Sequence, residues 1–122
     1  MKLLISPQKK ENWKINKEKF ISQLKDIFED IEITEIKDEK RNFCYEWKIE
    51  SSNSFFYGLL DKQLNGVYFE SNSISIIHKF SNFVRKFMPA ESEILMYDED
   101  FTTYTVLPYT GIEISEIMIF KK

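Results

Sequence analysis

The sequence predicts an α+β domain: an antiparallel sheet of about five to seven strands with two long amphipathic helices packed on one face. Three observations predict it. Apolar residues recur at helical spacing in the segments 20–28 and 76–87, and at a period of two elsewhere. Short turn signals separate the period-two segments, as in hairpin-connected strands. The chain also holds 11 Phe, 6 Tyr and 2 Trp among its 122 residues, which is core material rather than disordered composition.

The elements follow in order. Leu3-Leu4-Ile5 reads as a short strand that stops near Pro7. A polar loop leads to Asn16, a good N-cap because its side-chain oxygen accepts a free backbone N–H. Ile15 and Phe20 have the spacing of a hydrophobic staple, and Phe20, Ile21, Leu24, Ile27 and Phe28 form the apolar stripe of a helix over 17–29. The period then changes to two. Ile31 and Ile33 alternate with Glu32 and Thr34, and Asp38 to Arg41 is a charged turn.

Phe43, Tyr45, Trp47 and Ile49 point one way and Cys44, Glu46, Lys48 and Glu50 the other, giving a strand with one buried and one wet face. After the turn Ser51–Ser54, Phe55 to Leu60 is apolar on both parities, as in a central strand. Asn65-Gly66 is a strong turn signal, and Val67 to Glu70 closes a meander.

Ser71-Asn72-Ser73 offers caps for a second helix. Its broad stripe is Ile76, Ile77, Phe80, Phe83, Val84 and Phe87, and Pro89 stops it. Glu93 to Tyr97 and Thr102 to Leu107 read as two more strands around the loop Asp98–Asp100. Thr110 and Glu113 match a capping box, which predicts a terminal helix over 111–119, although Ile112-Glu113-Ile114 also alternates like a strand. The order is β-α-β-β-β-β-α-β-β-α in a single domain spanning 1–122.

Composition excludes several function classes. With 17 basic and 20 acidic side chains the net charge is −3, which argues against general binding to DNA or RNA. One cysteine, Cys44, leaves no intrachain disulfide and no Cys-based zinc site. One histidine, His78, leaves no multi-histidine metal site, and no Gly-x-Ser-x-Gly turn marks a nucleophile. Gly58, Gly66 and Gly111 are isolated, so no phosphate-cradling loop is present. Phe55-Phe56-Tyr57 faintly echoes an RNA-binding sheet but lacks a basic surround. The apolar run after Lys2 is shorter than the roughly 7–15 residues of a signal peptide, and no stretch approaches the roughly 18 of a membrane span. The expectation is a cytoplasmic chain with no catalytic residue, metal or cofactor.

The charge is unevenly placed. Residues 1–90 hold 15 basic and 13 acidic groups, net +2, whereas residues 91–122 hold 2 and 7, net −5. Such an asymmetry focuses a negative field and steers a basic partner. Asp98-Glu99-Asp100 is the densest carboxylate group, but it lacks the alternating acids and glycine of a calcium loop. Aromatic residues lie among these acids, and tyrosines ringed by carboxylates suit contact with Lys or Arg. The expected partner-binding residues are Glu91, Glu93, Asp98, Glu99, Asp100, Tyr104 and Tyr109.

Several segments together resemble a known group. These are Glu46-Trp47, the strand-rich stretch to Phe69, Phe80…Phe83-Val84…Phe87-Met88-Pro89, Leu95-Met96-Tyr97-Asp98-Glu99 and Thr110…Ile114. In these the chain resembles small bacterial immunity proteins of contact-dependent and polymorphic toxin systems. That class shares size, acidity and operon logic rather than one fold, and it carries no catalytic motif. The resemblance implies a non-enzymatic protein whose partner is a cognate toxin domain, a basic nuclease in the first place. The alternatives are a structural or regulatory interaction subunit, and a small metal-dependent enzyme built on the Asp98 region.

Overall fold

The computed structural model describes residues 1–121. In chain order these form β1 (Lys2–Pro7), α1 (Lys17–Ile27), β2 (Glu32–Glu35), β3 (Phe43–Glu50), β4 (Phe55–Asp61), β5 (Val67–Ser71), α2 (Ile74–Arg85), β6 (Ile94–Asp98), β7 (Tyr104–Val106) and α3 (Ile114–Ile117), followed by a 3-10 turn at Met118–Phe120. The fold is α+β. Its seven strands make one antiparallel sheet in the order β2-β3-β4-β5-β1-β6-β7. The first strand of the chain is thus inserted between β5 and β6.

One sheet face carries the core. Trp47, Gly58, Phe69 and Leu3 lie side by side on β3, β4, β5 and β1, and all four are buried. The helices bring their stripes to this row. Phe20 of α1 meets Trp47 at 5.6 Å between ring centroids, and Phe80 of α2 meets Phe56 and Phe69 at 4.9 Å each. Ser81 of α2 reaches the Met96 sulfur on β6. Large rings joined edge to face at these separations attract beyond their area burial. α3 packs against α2, so the helical layer runs α1-α2-α3 beneath the sheet from its β3 side toward β7.

Local sequence explains the helix starts. The Asn16 side chain accepts from the Lys19 N–H at 3.1 Å, Ser73 accepts from the Ile76 N–H at 3.2 Å, and Ile15 is buried beside the first cap. The ends differ from expectation. α1 stops at Ile27 because Phe28 turns extended and carries its ring to Phe56. α2 stops at Arg85, well before Pro89, and the chain continues in tight turns through Met88. The terminal helix starts at Ile114, not 111. Gly111 sits at φ +112° and holds the preceding segment out of a helix, and the cap moves to Glu113, whose N–H donates to Glu116.

The buried Arg85 ties the far end of this layer together. Its guanidinium is 2% exposed and donates to the carbonyls of Leu107, Met88, Pro89, Ala90 and Ser92. The charge is thus taken up by five backbone dipoles, while burial pulls its pKa down.

Candidate protein-binding surface

Among the described residues no helix lies over the second sheet face. Strand register places Thr34, Glu46, Leu59, Tyr68, Leu4, Tyr97 and Tyr104 in one row that crosses all seven strands. A neighbouring row runs Glu32, Lys48, Tyr57, Glu70 and Lys2, and Lys2 pairs with Glu99 at 3.9 Å. An aromatic and aliphatic band therefore lies beside a row of alternating charge. Two of these tyrosines, Tyr57 and Tyr97, are anchored at their tips. Tyr57 donates to Glu46 at 3.3 Å, and the Tyr97 and Ser6 hydroxyls share a short hydrogen bond. Burial raises the phenol pKa of Tyr57 and Tyr68, and the Glu46 carboxylate adds to the effect at Tyr57.

The expected site residues divide into three places. Glu91 and Glu93 precede β6 and share a shallow cleft with Gln8, Lys9 and Glu11. Asp98, Glu99 and Asp100 follow β6, at the other end of that strand. Five residues of strand put roughly 16 Å between the two groups, so they form no single patch. Tyr104 lies on the open face at the sheet edge, opposite Tyr97, and is 65% exposed. Tyr109 faces the helical side, where Lys86 stands 4.1 Å and Arg85 5.4 Å from its ring. Of the seven, Asp98, Glu99, Asp100 and Tyr104 are brought together on one hairpin.

Asp98 has a different task from its neighbours. Its Oδ1 accepts from the N–H groups of Thr102 and Thr103 at 2.8 and 3.2 Å, its Oδ2 accepts from the Thr102 hydroxyl, and its carbonyl accepts from the Phe101 N–H. It builds the β6–β7 turn, while Glu99 and Asp100 stand exposed at the tip.

His78 and Cys44 have structural roles. The His78 Nε2 meets the Ile112 carbonyl at 2.8 Å. Asn82 grips the same residue, accepting from its N–H at 2.8 Å and donating to its carbonyl at 3.3 Å. The Cys44 thiol lies against the Leu60 and Asp61 carbonyls at a bulge in β3, and burial pushes its pKa up, away from a reactive thiolate. Among the described residues no group of three His, Cys, Asp or Glu side chains is placed to hold a metal ion, and no helix is long and apolar enough to cross a membrane.

Sequence reasoning missed the open-face row. The signal was present in the parity of Leu4, Leu59 and Tyr68, which alternate with the buried Leu3 and Ile5, Phe56 and Leu60, and Val67 and Phe69. Reading Phe55–Leu60 as apolar on both parities fits β4, where even the outward Leu59 is buried, but does not show the row across the other strands. The chain matches no protein-family model, and comparison with curated proteins and with solved structures finds no match either.

Proposed function

We propose that this chain is a non-enzymatic immunity protein of a contact-dependent toxin system, acting in the bacterial cytoplasm, and that it neutralises a cognate toxin domain by covering it. The partner is a basic protein, a nuclease in the first place. One observation carries the reading. The β6–β7 hairpin presents Glu99 and Asp100 beside Tyr97 and Tyr104, which joins negative charge to apolar contact area. Charge of this kind raises the encounter rate with a positive surface, and buried aromatic rings hold the complex once formed. The resemblance noted in the sequence supports the same class.

The test begins with the neighbouring gene: if it encodes a toxin domain, that domain is purified, catalytically inactivated and measured for binding, and a neighbour of another kind counts against the reading. Association is expected to slow as salt rises. The double variant Glu99→Lys, Asp100→Lys is expected to cut the association rate about tenfold or more at low salt. An unchanged rate and unchanged affinity would remove the hairpin from the interface.

A further inference from the structure

Two hairpins of this fold are closed by the same turn, and the comparison isolates one residue. In β4–β5, Asp61 accepts the Leu64 N–H on its carbonyl and the Asn65 N–H on its carboxylate, and Leu64 adopts φ +61°. In β6–β7, Asp98 does the same for Phe101 and Thr102, and Phe101 adopts φ +59°. Left-handed backbone is unfavourable for any large L side chain, so each position needs a compensating reason. Leu64 has one: its side chain packs against the core and its carbonyl accepts from Ile15. Phe101 has no core contact of that kind. Its ring is 69% exposed and rests on Tyr97 at 5.1 Å.

The surroundings of Phe101 extend the pattern. Every exposed large hydrophobic side chain among the described residues falls between 101 and 119. Tyr104 and Val106 follow on the edge strand, then Tyr109. Ile114, Met118 and Ile119 lie on α3 and the turn after it, in the helical layer with Tyr109, whereas Tyr104 and Val106 share the open face with Tyr97. Phe101, Tyr104 and Val106 therefore join Tyr97 as exposed apolar side chains on one hairpin and its edge strand.

We propose that Phe101 is the anchor of a docking surface along the β7 flank, and that the occupant is a basic protein domain with an apolar pocket for this ring. The proposal rests on the protein-binding reading above and specifies where and by which residue it is realised. Charge selects the occupant. Asp98, Glu99 and Asp100 share this hairpin and Lys2 pairs with Glu99, which leaves it net negative, so a second copy would set acid against acid, whereas a basic domain meets complementary charge.

The probe is a purified, catalytically inactivated basic nuclease domain, that of the neighbouring gene where it encodes one, titrated against the unchanged protein and against Phe101→Gly, with thermal unfolding of both. Glycine accepts the left-handed backbone, so the variant should unfold at an equal or higher temperature. It should lose at least 100-fold in affinity. Wild-type affinity in Phe101→Gly would overturn the anchor while leaving the protein-binding reading intact. No binding by the unchanged chain would overturn that reading and this proposal with it. Light scattering serves as the second measurement: a monomer is expected, and a dimer that Val106→Lys splits would assign the flank to a second copy and overturn the basic occupant.

Discussion

Gly58 lies directly beneath the Trp47 indole, so close that a Cβ on it would stand 2.3 Å from the ring. The two residues face each other across β3 and β4, and the indole fills the space that a side chain at 58 would need. Its Nε1 is buried without a hydrogen-bond partner among the described residues, so ring packing holds the indole here. Gly58→Ala should therefore cost about 1–3 kcal/mol through overpacking, read by urea denaturation, with a shift in tryptophan emission. A variant as stable as the parent would mean the indole has somewhere else to go.

Arg85 is expected to resist substitution by lysine. Five carbonyls surround its guanidinium, and an ammonium with three donors cannot serve them in the same plane. Arg85→Lys should lose about 3 kcal/mol of stability, since the orphaned carbonyls stay buried. Chemical denaturation measures this, and a loss below about 1 kcal/mol would show that water replaces the missing donors.

Asn82→Ala should loosen the chain end without unfolding the sheet. Asn82 is bonded to both the N–H and the carbonyl of Ile112, and α3 follows directly. The expected cost is about 1–3 kcal/mol. Amide hydrogen exchange should quicken across residues 112–120 and stay slow in β4 and β5. Uniform quickening would contradict a local role.

Asp61 gives a pH test with a definite sign. Burial raises its carboxyl pKa, although backbone N–H groups oppose the shift. A raised folded value means extra stability below the unfolded value of about 3.9, lost as pH climbs through the folded value. Asp61→Asn keeps an acceptor for the Asn65 N–H and removes the half-buried charge. The variant should be at least as stable as the parent at pH 7, and its advantage should shrink toward pH 4. An advantage that grows on acidification would reverse the assignment.

Much of this architecture was legible because local signals and burial agreed. Asn16, Ser73 and the stripe through Phe80 act at the level where sequence speaks most directly, and both helices begin where those residues say. Thr110 and Glu113 suggested a start for α3, but the positive φ at Gly111 and the grip of Asn82 on Ile112 moved it. A cap competes with tertiary hydrogen bonds that no local pattern displays. The candidate site was legible only in part for a similar reason. Charge counted along the chain grouped Glu93 with Asp98, yet an extended strand carries them to opposite ends of the sheet. Phe101 stood out only once its backbone angle and exposure were known together.

The place of β1 in the sheet sets a timetable for synthesis. It leaves the ribosome before the other six strands of this sheet, yet its neighbours are β5 and β6, whose residues pair with it across some 60 to 95 positions of chain. The β2-β3-β4-β5 meander can form from adjacent hairpins while Leu3 and Ile5 still wait unpaired. The sheet closes only when residues 94–98 emerge, so the last third of the chain completes the core as well as carrying the acidic hairpin.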